Sequence, residues 1–144
     1  METSCKLLAV SCEYNFFDCY VMSDFMGWEG DVNFEKLEVW RRSCQLSSQI
    51  YLELKALRDL GFKDQITRAS LSVPSNIAEG MVKPTIKDKI KYLHIANGSC
   101  AEMRTQVYIG MKIDYIPRTI GVEWIDETKQ ISAMLAGLIG KLDN

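Results

Sequence analysis

The chain changes character near residue 33: from Phe34 onward apolar residues recur every three or four positions, whereas before it no helical period is sustained. Val39, Trp40, Cys44, Leu46, Ile50, Tyr51, Leu54 and Leu57 fall on one half of a 3.6-residue wheel. Glu38, Arg41, Arg42, Gln45, Gln49 and Glu53 fall on the other, which predicts a wide amphipathic helix. Its end is expected near Asp59–Gly61, since glycine accepts the left-handed conformation that closes helices.

A later helix is predicted to start at Thr85, where Asp88 three residues on resembles a capping box, although Asp reaches less far than Glu or Gln. Ile86, Ile90, Leu93, Asn97, Cys100, Met103, Val107 and Met111 form its seam, which ends before Pro117. A second stripe, Tyr92, Ile95, Ser99, Glu102, Gln106 and Ile109, gives this helix neighbours on two sides. After "DYIPRTIG", Val122, Ile125, Thr128, Ile131, Leu135, Leu138 and Leu142 predict a last helix.

Between these lies "QITRASLSVPSNIAEGM", Gln65–Met81, whose apolar face of Ile66, Ala69, Val73, Ile77 and Met81 makes it the second helix despite Pro74. Proline inside a helix removes a hydrogen bond, here to the Ser70 carbonyl, and costs about 3 kcal/mol. A kink at Pro74 is expected, with Ser70, Ser72 and Ser75 serving freed backbone groups. Loops this short require antiparallel neighbours, so the expected fold is all-α, an antiparallel up-down-up-down four-helix bundle over residues 34–144. Residues 1–33 are read as an N-terminal extension, poorly ordered or a start-site artefact, with Met22 or Met26 as alternative starts. The heptad spacing of Cys5, Cys12 and Cys19 lacks apolar partners and predicts no coiled coil.

The formal charge of −2 conceals an asymmetry. Residues 1–33 hold six acids against Lys6, while residues 34–144 hold 16 Lys plus Arg against 13 Asp plus Glu, a mildly basic body of +3. His94 is the one histidine and the five cysteines include no C-x-x-C pair, so neither metal nor cofactor is expected. The odd cysteine count and the absence of a leader pattern fit a reducing, cytoplasmic setting, and no segment reaches the roughly 20 apolar residues of a membrane span. Ser75 with Glu79 at i+4 is the nearest approach to a nucleophile and base, but a glutamate alone rarely activates a serine. Phosphate loops and the E-x-x-H pairs of di-iron bundles are absent, so the chain is expected to be non-enzymatic, with no catalytic residue.

Three separated segments, "FEKLEVW" (Phe34–Trp40), "DQITRASLSVPSNIAEG" (Asp64–Gly80) and "YLHIANGSCAEMRTQ" (Tyr92–Gln106), occur in the order and spacing of a known family. Over residues 33–142 the chain resembles the bacterial four helix bundle proteins first noticed as reading frames inside intervening sequences of 23S ribosomal RNA genes. The resemblance implies a helical bundle that assembles as a ring-shaped homopentamer without assigned enzymatic activity. It is also similar to the accessory variability proteins of diversity-generating retroelements, basic five-fold barrels that associate with a reverse transcriptase and nucleic acid. A body at +3 departs from such strongly basic barrels.

The positions matching the family pattern are Gln65, Arg68, Pro74, Ser75, Asn76, Glu79 and Gly80, with Gly98, Ser99, Glu102 and Gln106. Steps of three and four place Gln65, Arg68, Ser72, Asn76 and Glu79 on one side of the second helix and Ser99, Glu102 and Gln106 on one side of the third, so the two stripes can face each other. Their side chains are expected to form a structural or interface network, with Arg68 paired to Glu102 or Glu79 within the bundle or between subunits. Arg41 and Arg42, with Lys83, Lys87, Lys89 and Lys91, are the candidate contacts to RNA or DNA, a patch that a ring would repeat into a band. The alternative is a scaffold that docks a protein such as a polymerase, with Trp124, Tyr108 and Tyr115 as anchors, and a hydrolase comes last.

Overall fold

The structure, a computed structural model, describes residues 33–144. The expectations for the preceding residues, Cys5, Cys12 and Cys19 among them, lie outside it. A 3-10 turn at Phe34–Lys36 leads into four helices: α1 (Glu38–Glu53), α2 (Leu60–Met81), α3 (Ile86–Lys112) and α4 (Arg118–Asp143). There is no strand among the described residues, so the fold is all-α.

Each helix turns its apolar stripe to a shared interior. Leu46 and Ile50 of α1, Ile66, Val73 and Ile77 of α2, Leu93, Met103 and Val107 of α3, and Ile131 and Leu135 of α4 are fully buried. Removing such side chains from water is the main favourable contribution, about 1.5–3 kcal/mol each. The packing closes in a cycle, α1 on α2, α2 on α3, α3 on α4 and α4 on α1, as in a bundle. Along the α2–α3 seam the contacts run in opposite order on the two helices: Phe62 lies by Gly110, Ser72 by Ser99 and Gly80 by Tyr92.

That seam is closest at Gly80. A Cβ there would stand 2.8 Å from the Tyr92 Cβ and 3.2 Å from the Lys89 carbonyl oxygen, so the glycine allows the approach. Pro74 is buried, and α2 continues through it. Hydroxyl and amide groups bracket the ring: Ser75 Oγ donates to the Leu71 carbonyl at 2.8 Å and Asn76 Nδ2 to the Ser72 carbonyl at 2.8 Å.

The helix ends differ from expectation at one place. α1 stops at Glu53 rather than near Asp59–Gly61, and the chain tightens just beyond it, where the Lys55 N–H returns to the Leu52 carbonyl three residues back. Asp59 instead opens α2, its carboxylate accepting from the Phe62 N–H at 3.0 Å, and Gly61 lies within the first helical turn. An aspartate before a helix satisfies otherwise unpaired N–H groups, and that preference prevails over glycine's tendency to stop one. At α3 the predicted cap forms: Thr85 Oγ1 accepts from the Asp88 N–H at 3.1 Å, while the short Asp88 carboxylate binds the Thr85 hydroxyl at 2.6 Å.

Candidate functional site: polar seams and cationic surfaces

Asn76 and Ser99 meet through Ser72. Ser72 Oγ and Ser99 Oγ lie 2.8 Å apart across the α2–α3 seam, and Asn76 Nδ2 donates to Ser72 Oγ at 2.9 Å. Gln106 Nε2 donates to Glu102 Oε1 at 3.4 Å, and the buried Gln106 Oε1 has no donor among the described residues. Arg68 pairs with Asp64 at 2.9 Å, one turn back on its own helix, and meets neither Glu102 nor Glu79 within the chain. Gln65 is exposed and makes no hydrogen bond among the described residues. The expected single network is therefore divided inside one chain, because exposed long side chains take the nearest i,i+4 partner.

Two polar seams were not foreseen from the sequence. Arg104 of α3 donates from Nε to Thr128 Oγ1 at 3.0 Å and from Nη2 to Ser132 Oγ at 2.9 Å on α4. Ser47 and Ser70 hydroxyls lie 3.1 Å apart between α1 and α2. The available signal was the place of Ser47, Ser70 and Thr128 on or beside apolar stripes.

The predicted cations fall into two groups. Arg42 forms a forked pair with Glu127, at 2.7 Å from Nε and 2.6 Å from Nη2, and also donates to Gln130 Oε1 at 2.6 Å. Arg41 Nε donates to the Glu35 carbonyl at 2.8 Å, and Lys89 Nζ donates to the Met81 carbonyl. Lys83 lies 3.2 Å from Glu79 and 4.7 Å from the centroid of the Tyr92 ring. The Tyr92 hydroxyl and the Lys83 ammonium hold the Glu79 carboxyl below its usual range. Only Lys87 and Lys91 of this set are exposed and without an internal partner among the described residues.

No reacting pair assembles from the residues considered for hydrolysis. The Ser75 hydroxyl donates to its own helix, Glu79 faces Lys83, and His94 is exposed. Burial pushes the Cys44 and Cys100 thiols up to about 11, which keeps them protonated at neutral pH. Among the described residues no three His, Cys, Asp or Glu side chains group to hold a metal.

Of the three proposed anchors, Trp124 is 4 % exposed and belongs to the core. Tyr115 donates its hydroxyl to Asp59 Oδ2 at 3.0 Å and sets its ring edge-on to Phe62, 5.3 Å between centroids. Tyr108 is 51 % exposed. It borders an open groove of about 910 Å³ between the end of α3 and the start of α4, where Lys112, Arg118 and Lys129 also converge. These three cations escaped the sequence reading because they are spread over 18 positions.

The described helices include none long and apolar enough to cross a membrane. In the crystal, a protein of unknown function from the S23 ribosomal protein family of Bacteroides thetaiotaomicron has a similar fold, with a TM-score of 0.66 at 23 % identity over 70 % of this chain and 97 % of that one. No curated protein matches the chain. The family described as 23S rRNA-intervening sequence protein matches residues 35–137, well over half of the sequence, and this chain belongs to that family.

Proposed function

We propose that the protein is a non-enzymatic, cytoplasmic homo-oligomer, a pentamer, that associates with RNA or another nucleic acid. The observation that carries this reading is a net positive body on which Lys87 and Lys91 are exposed and held by no internal partner. Around a ring the pair would recur in every subunit, so a modest patch becomes a band facing a polyanion. The family's description, an intervening-sequence protein of 23S rRNA, points the same way.

Assembly is supported by the α2–α3 face. Ile95, Glu102 and Ile109 repeat every seven residues along α3, and the two isoleucines are 43 % and 48 % exposed. They run beside the stripe of Tyr92, Ser99 and Gln106 that borders α2. A second copy would cover these isoleucines and give Arg68 and Glu102, both exposed, a route to pair between subunits.

Size-exclusion chromatography with light scattering and two-wavelength absorbance, at low and high salt, tests both parts. A five-subunit mass carrying nucleic acid that salt removes is expected. Lys87→Glu with Lys91→Glu should reduce the bound nucleic acid without changing the mass, and unchanged retention counts against the patch. A clean pentamer that retains none would select the scaffold reading, which the exposed Tyr108 favours; a monomer would remove the ring.

A further inference from the structure

The groove between α3 and α4 brings cations, an exposed aromatic ring and apolar side chains together. Tyr108, Met111 and Lys112 contribute from one side and Arg118, Val122, Ile125 and Lys129 from the other. Each set follows helical spacing, so the two walls are continuous helix faces. Val122 is 52 % exposed although it falls in the apolar repeat of α4. It is an apolar wall residue with no core to join.

The turn between the helices makes the concavity. Asp114 takes a left-handed backbone, φ 61°, and the Tyr115 and Ile116 N–H groups return to the Gly110 carbonyl at 2.9 and 3.1 Å. Tyr115, held by Asp59 and Phe62, closes that end. Lys112, Arg118 and Lys129 make no hydrogen bond or ion pair among the described residues.

We infer that this groove takes a short stretch of an unpaired RNA or DNA strand, successive phosphates on Lys112, Arg118 and Lys129 and one base against Tyr108. The assignment deepens, and rests on, the nucleic-acid reading. Its volume of about 910 Å³ suits a ligand of nucleotide size, and its open side lets a strand enter and leave. Free cations beside an exposed aromatic are what single-stranded binding requires, since every base has a face to stack. Two carboxylates also line the groove, Glu53 and Asp114. They would repel phosphate but accept from an exocyclic amino group, so cytosine is favoured over uracil.

Fluorescence anisotropy with the full chain and labelled twelve-residue oligocytidylate and oligouridylate provides the test. Wild-type protein should bind the cytidylate strand more tightly. Lys112→Gln, Arg118→Gln and Lys129→Gln together should weaken it by about 100-fold and flatten the salt dependence, and Tyr108→Ala alone by about 10-fold. Light scattering and circular dichroism confirm that the variants keep the wild-type assembly and helicity; Tyr108, being exposed, is the variant least able to disturb folding. Wild-type binding left intact by both variants would overturn the groove while the nucleic-acid reading stands. Failure of the wild type to bind either strand would overturn both. Cytidine monophosphate binding as tightly as the strand would overturn the strand and leave a free-nucleotide pocket.

Discussion

The two cationic regions of this bundle teach different things about charge in a sequence. Around the start of α3 four lysines crowd into nine positions, yet Lys83 is held by Glu79 and Tyr92, and Lys89 by the Met81 carbonyl. At the far end of α3, Lys112, Arg118 and Lys129 are scattered in sequence but share one groove, and none has an internal partner among the described residues. Density along the chain selects the first region. Availability favours the second, where all three cations are free among the described residues against only Lys87 and Lys91 in the first, because a cation already paired must surrender its partner before it can receive a phosphate.

Reversing charge tests that contrast with the largest expected effect. Lys112→Glu, Arg118→Glu and Lys129→Glu together should lower oligocytidylate affinity by at least about 100-fold, against about 10-fold for Lys87→Glu with Lys91→Glu. Equal losses, measured by anisotropy at one fixed salt concentration, would erase the distinction between the regions.

Next in size is the close approach that holds Lys89 against the end of α2. Gly80→Ala forces a Cβ to within 2.8 Å of the Tyr92 Cβ and should cost about 1–3 kcal/mol in urea unfolding. Because the change frees rather than removes a lysine, nucleic-acid affinity should not fall with stability.

A smaller effect is expected at Arg42. Its forked contact with Glu127 is partly shielded, with side-chain exposures of 27 % and 28 %, so Arg42→Met should cost about 1 kcal/mol in thermal or urea unfolding. Oligonucleotide affinity should change less than about twofold, since this guanidinium is engaged inside the protein; a larger loss would return it to the binding surface.

The smallest effect concerns Asp59, which braces the groove through Tyr115. The Phe62 N–H and then the Tyr115 hydroxyl hold its carboxyl below the ordinary 3.8. A depressed folded-state value means stability present above the ordinary value and lost as pH falls through the folded one. Asp59→Ala should therefore lower Tm by a few degrees at pH 7, and the difference should shrink as pH drops below about 3.8. A gap of constant size in acid would assign the loss to packing alone.

Much of the fold was legible in the sequence because helices bury one stripe: the repeats from Val39 to Ile50 and from Leu93 to Val107 do form core faces. The error near Asp59 arose because Asp before an apolar run and Gly after one are both boundary signals, pointing in opposite directions. The candidate site was less legible. Arg68 looked poised for Glu102, but Asp64 lies one helical turn away on the same exposed face. Tyr108 and Val122 looked like an anchor and a core residue, and both line the groove.

By itself the sequence determined four helices, the cap at Thr85, the accommodation of Pro74 and membership of its family, because periodicity, capping and motif spacing are local properties of a chain. The tertiary structure alone decided which charges are taken and which remain available. Arg42 and Glu127 are 85 residues apart yet share a forked ion pair, whereas Lys112 and Arg118 are six apart and have no such partner among the described residues. Pairing depends on distance in space, and in a bundle that distance is set by which helix faces pack together.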